Sequence, residues 1–187
     1  YEELQELRID EENEVRRILY ELTALVAENR AAIETDIRMM EKLDFIFSKG
    51  KLSEQYDGRE PKIIGERRIY LRNARHPLMD RKVCVPLQFS IGEGVDGVVI
   101  TGPNTGGKTV AIKTVALSCL MAQCGLHIPA RDDSTVRVFS RVLADIGDEQ
   151  SIAQSLSTFS SHMTNIVGIL GEADGDTLIL FDELGAG

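Results

Sequence analysis

The chain has 187 residues, with 21 Lys and Arg against 30 Asp and Glu and a formal net charge of −9; the sequence pI is about 4.9. That balance argues against tight nucleic-acid binding by these residues alone, because phosphate neutralisation by Lys and Arg supplies most non-specific affinity. A local basic patch or a partner domain stays compatible with it. The length allows one core, or one core and an appendage. Cys84, Cys119 and Cys124 lack metal-type spacing and sit in apolar contexts, so they read as free thiols in a reducing compartment rather than as a disulfide or zinc site. No apolar run approaches a membrane span and no leader pattern opens the chain, so the expectation is a cytoplasmic protein with no membrane partner. The chain starts at Tyr1 without Met, within a helical pattern, and stops at Gly187 just after a strand pattern. It reads as an excised part of something larger.

Residues 1–50 are predicted to form a long helical segment. Two apolar rows recur every seven residues, Ile18, Leu25, Ala32, Met39 and Ile46 beside Leu19, Val26, Ile33, Met40 and Phe47, making one broad stripe. A continuous helix over this length would measure roughly 70 Å, more than a compact domain needs. A lever or coiled segment suits it, as do two helices with a bend near Glu28-Asn29-Arg30. Residues 51–68 are polar and broken by Gly58 and Pro61, and are expected to be a linker.

From residue 69 onward the pattern is α/β. Ile69-Tyr70-Leu71, Val83-Cys84-Val85 and Phe89-Ser90-Ile91 read as short strands of an antiparallel addition, a candidate wall for a nucleotide base. His76, before Pro77, fits either a structural role or a ligand contact. Gly97-Val98-Val99-Ile100-Thr101 then reads as a buried strand, and residues 110–124 as a helix closed by Gly125.

Between that strand and helix stands Gly102-Pro103-Asn104-Thr105-Gly106-Gly107-Lys108-Thr109, which fits the phosphate-binding loop G-x-x-x-x-G-K-[ST]. Glycines at 102, 106 and 107 allow backbone angles and phosphate approach that a Cβ would block. Lys108 is placed to bridge the outer phosphates of a nucleotide, and the Thr109 hydroxyl to ligate Mg²⁺ at the positive end of the helix dipole.

Two further strands are expected within Ser134–Phe139 and Arg141–Ile146. Ser157 or Thr158 then fits the cap of an apolar helix. The last strand, Thr177–Phe181, ends in Asp182 and Glu183. At the carboxyl end of a parallel strand, Asp182 belongs beside the Mg²⁺ and Glu183 beside the terminal phosphate, where it can orient or deprotonate water.

Read together, the Gly-Pro-Asn-x-Gly-Gly-Lys-Thr loop, Ser157-Thr158-Phe159, Asp182-Glu183-Leu184-Gly185 and Asn73-Ala74-Arg75-His76-Pro77 resemble the ATPase of the MutS family, a branch of the ABC-type ATPases. The resemblance covers about residues 70–187, and the helix before it looks like the family's lever. Thr109, Ser160-Ser161-His162 and Leu184-Gly185-Ala186-Gly187 are more similar to the bacterial MutS type 2 branch, which lacks mismatch-reading domains, than to the mismatch-repair members.

The resemblance implies a P-loop (ABC-type) core, incomplete at its C-terminal side within 69–187, preceded by a long α-helical lever. It also implies a homodimer that acts on branched DNA to restrain recombination, and in some bacteria splits stalled ribosomes, with a nuclease domain outside these residues. Lys108 and Thr109 become phosphate and metal contacts, Asp182 the metal carboxylate, Glu183 the base, and Ser157 the residue addressing the γ-phosphate on the other protomer. Val83 stands where relatives carry an aromatic that stacks on adenine, so apolar packing replaces stacking there. The family's later acidic loop and histidine fall beyond Gly187, so this chain alone is expected to bind nucleotide weakly and to turn over slowly or not at all. Two other classes fit less: a non-hydrolysing structural module, which has no need of Glu183, and the ATPase of a coiled-coil chromosome-structure protein, which the Arg75-His76-Pro77 segment and the helix's position disfavour.

Overall fold

The structure, a computed structural model, describes residues 1–103, 106–146 and 155–182, without the side chains of 155–161. It is mixed α/β and divides into two units, residues 1–48 and 49–187.

The first unit is helical. Helix α1 (Glu2–Glu28) and helix α2 (Arg30–Gln55) meet at Asn29, whose φ of −96° and ψ of 5° leave the helical region. Its side-chain amide donates to the Leu25 carbonyl at 2.9 Å, satisfying an acceptor that the broken ladder would otherwise leave open. Neither helix carries a buried residue. Arg17 forks between Glu14 and Glu21 along α1, which holds the Glu14 carboxyl below its usual range. The helical pattern does not stop at Gly50. The good helix formers Lys51, Leu52, Glu54 and Gln55 outweigh one glycine, which costs about 1 kcal/mol in a helix interior.

The second unit is built on two sheets. One has the order β1-β4-β2-β3, from β1 (Lys62–Ile64), β2 (Ile69–Ala74), β3 (Leu87–Ile91) and β4 (Thr135–Arg137). β2 runs antiparallel to β3 and β4, while β1 is parallel to β4. Ile69 and Leu71 point into the core by the two-residue period of a strand. Asn73 then takes a left-handed φ of 51°, and the register with β3 shifts between Leu71 and Ala74, so that Ala74 returns to the core. The Asn73 carboxamide oxygen accepts from Gln88 Nε2 at 2.9 Å, stabilising that kink.

The other sheet pairs β5 (Arg141–Asp145) in parallel with β6 (Thr177–Phe181), with Asp145 opposite Phe181. Helix α3 (Lys108–Gln123) touches β2, β4 and β6. Its Val115, Cys119 and Ala122 join Ile69, Leu71, Ile128 and Val136 in the core. Buried Thr114 and Ser118 hydroxyls donate back to the carbonyls of Val110 and Thr114, at 2.7 and 2.8 Å, which satisfies both. Gly125 ends α3 with φ 69°, and the Leu126 N–H closes the last turn on the Met121 carbonyl at 2.9 Å. Burial pushes the Cys119 thiol up to about 12. Cys84 is also buried and Cys124 exposed, all three thiols being free.

Two expected strands are absent. Val83-Cys84-Val85 is a turn, because the Asp80 carbonyl accepts the N–H groups of Val83 and Cys84 at 3.0 and 2.9 Å. The Arg75 guanidinium, bonded to the Arg81 and Cys84 carbonyls, closes the same loop. Gly97–Thr101, read as a buried strand, joins no ladder either and lines a cleft together with residues of β6. No helix among the described residues is long and apolar enough to cross a membrane.

Candidate functional site

The phosphate-loop sequence meets α3 at Gly107, which takes φ 77°, a left-handed value that glycine adopts without strain. From there the helix begins with Lys108, and the Ala111 N–H bonds to the Gly107 carbonyl at 2.9 Å. Preceding it, the Gly106 N–H closes a tight turn on the Pro103 carbonyl at 2.9 Å, and Gly102 has φ 150°. Helix α3 has no side-chain cap and no acidic residue in its first turn. The positive end of its dipole faces this loop.

Lys108 sits at the wrong end of its helix for stability. A cation in the first turn opposes the macrodipole, a cost of about 0.3–1 kcal/mol. A bound anion would turn that cost into a gain, and such local conflicts mark functional positions. The Lys108 ammonium donates to the Gly102 carbonyl at 2.7 Å, folding the side chain back over its own loop. Thr109 follows on the helix, half-buried.

A cleft of about 760 Å³ opens beside this turn. Gly102, Lys108 and Asp182 all line it, together with apolar Val98, Ile112 and Leu180. Asp182 follows β6 directly, at the carboxyl end of the parallel pair, and its N–H donates to the Asp145 carbonyl at 3.0 Å. Arg67, Arg68 and Arg137 line it too; no sequence motif joins them, because Arg137 meets the adjacent Arg67-Arg68 pair only through the fold. Arg68 pairs with Glu93 at 2.5 Å, and Arg137 pairs with Asp176.

The other candidates lie apart from that cleft. His76 and Arg75 line a smaller hollow of about 330 Å³ with Tyr56 and Pro129. Burial holds the His76 imidazole below its usual value, and the nearby Lys113 charge adds to the shift. The Leu78 N–H donates to its Nδ1 at 3.3 Å. Val83 is 71% exposed and lines neither cavity. Ser157 belongs to helix α4 (Ser155–Glu172), its side chain outside the described residues. Asn104, Thr105 and Glu183 also lie outside them. Among the described residues no group of three or more His, Cys, Asp or Glu could hold a metal. Thr109 is not among the residues that line the cleft.

Residues 98–187 match MutS domain V. Along nearly its whole length the chain is similar to proteins named Endonuclease MutS2. It is 55% identical over 185 residues to that of Agathobacter rectalis, covering 99% of this chain and 23% of the relative. Identity is 54% over 185 residues with Clostridioides difficile (strain 630), at the same coverage. With Acetivibrio thermocellus it is 52% over 184 residues, 98% of this chain and 23% of the relative. The chain thus spans about a quarter of the length of these relatives.

Proposed function

We propose that this chain, which carries MutS domain V and is similar to MutS2 proteins almost throughout, is the ATP-binding, Mg²⁺-dependent ATPase part of a MutS-like DNA-binding protein. The observation that carries the reading is the uncapped start of α3, where Lys108 and Gly102 share a cleft with Asp182. In this reading the amides of Gly106 and Gly107 cradle phosphate oxygens, and Lys108 leaves the Gly102 carbonyl to meet the outer phosphates. Thr109 and Asp182 contribute a hydroxyl and a carboxylate, the hard oxygen donors that Mg²⁺ prefers to imidazole or thiolate. Mg²⁺, when bound, neutralises phosphate charge. Glu183, next to Asp182, accepts a proton from the attacking water, and Ser157 addresses the γ-phosphate on a second protomer.

On this reading the helical segment of α1 and α2 is the lever, and ATP-driven dimerisation lets the protein act on branched DNA and restrain homologous recombination. Splitting of stalled ribosomes belongs to the same proposal. The nuclease activity in the relatives' name is assigned to parts outside these residues. The net charge of −9 agrees with placing the DNA contacts elsewhere. Sedimentation velocity tests the dimerisation: with Mg²⁺ and a non-hydrolysable ATP analogue, the full-length protein is expected to shift towards the dimer. Unchanged sedimentation at saturating analogue would contradict it.

A further inference from the structure

His162 belongs to the Ser-Ser-His run that no role above uses, and Asp145 carried no motif at all. The structure places the two together. Asp145 ends β5 with only 8% of its surface exposed, and its Oδ2 lies 2.8 Å from Nδ1 of His162 on α4. Through its main chain the same residue accepts the Asp182 N–H at 3.0 Å. Asp145 therefore touches both the end of β6 and the body of α4.

Among the α4 residues with described side chains none is buried; Ile166 and Ile169 are half-buried, while Met163, Val167 and Leu170 are exposed. Over this described stretch a hydrogen bond to a buried carboxylate is a directional hold on the helix, stronger than a neutral one. Ser157 precedes His162 by five residues, roughly 7–8 Å along the helix axis at the standard rise.

We infer that Asp145 and His162 are positioning residues, a polar tether that fixes α4, and with it Ser157, relative to the cleft-lining Asp182. Asp145 and His162 touch neither phosphate nor metal in this arrangement; they act through α4. The inference deepens the ATPase reading and rests on it for Ser157, while the tether itself can be measured without nucleotide.

The test compares the full-length parent with His162→Ala, His162→Asn, Asp145→Ala and the double alanine variant, using amide hydrogen exchange across α4, Mg·ATP affinity and turnover at saturating Mg·ATP. Asparagine keeps an N–H close to where Nδ1 stood. For His162→Ala, α4 amides are expected to exchange about tenfold faster and turnover to fall about tenfold, the worth of one charge-assisted hydrogen bond. Affinity should move by less than about threefold, because the phosphate loop is untouched. His162→Asn should recover both losses, and the double variant should be no worse than either single one. Parental exchange in His162→Ala, or failure of asparagine to recover it, would overturn the inference. Lys108→Ala run in parallel separates the two ideas: parental Mg·ATP binding there would defeat the nucleotide reading, while α4 exchange would still decide the tether.

Discussion

Replacing Lys108 with alanine is expected to weaken Mg·ATP binding by about a hundredfold, ~2.7 kcal/mol, the scale of a charge-assisted contact to phosphate with nothing to replace it. The geometry makes the loss specific to the ligand. Lys108 opens α3 at a helix start with no side-chain cap and no acid in the first turn, and on the proposed reading its ammonium and the main-chain amides meet the phosphates there. Removing the cation leaves amides that can still meet phosphate, but without the charge that meets the outer oxygens. The fold should not suffer. The Lys108 side chain bonds the Gly102 carbonyl at a half-buried position, and a cation at the positive end of a dipole is unfavourable for the empty helix. The variant should therefore melt at or slightly above the parent's temperature while failing to bind a fluorescent ATP analogue. Parental affinity would remove Lys108 from the site.

Glu183→Gln should act on the chemistry and spare the binding. On the proposed reading Glu183 is the general base, a role worth about 10²- to 10⁴-fold in rate, and glutamine keeps its shape without its proton affinity. In the full-length protein, turnover is expected to fall by at least about a hundredfold with affinity unchanged within threefold, leaving an ATP-bound dimer that sediments as such. Glu183 lies just past the described residues, and its role in the proposal rests on the sequence. Equal turnover in the variant and the parent would remove the base from the proposal.

Much of the architecture was readable beforehand where one physical signal dominated. The strands around Ile69, Phe89, Val136, Leu143 and Leu178 all form, because each combines β-branched or apolar residues with polar breaks on either side. The end of α3 at Gly125 was equally plain, since a left-handed residue was needed there. The three apolar side chains of Val83-Cys84-Val85 suggest a strand, whereas the Asp80 carbonyl takes the Val83 and Cys84 amides and Arg75 the Cys84 carbonyl, contacts that apolar patterning does not encode. Gly97–Thr101 shows the dependence of a strand on its neighbours: the β-branched run is present, but no ladder reaches it among the described residues. The helix break fell at Asn29, near the bend left open by the sequence, while Gly50 was absorbed within α2.

The site divides in the same way. Gly102, Lys108 and Asp182 line one cleft. His76 lines a different hollow, and Val83 is out in solvent. Asp145 and His162, 17 residues apart, meet only through the fold, because an isolated Asp at a strand end and an isolated His within a helix carry no pairing signal.

Calorimetric titration of Mg·ATP into this chain tests the central claim most directly, that main-chain amides and Lys108 grip the phosphates while Thr109 and Asp182 share the cation. The account predicts a saturable heat with one site per chain, reduced by a chelator and by Asp182→Asn. Absence of heat at millimolar Mg·ATP, or heat indifferent to both the chelator and Asp182→Asn, would contradict it.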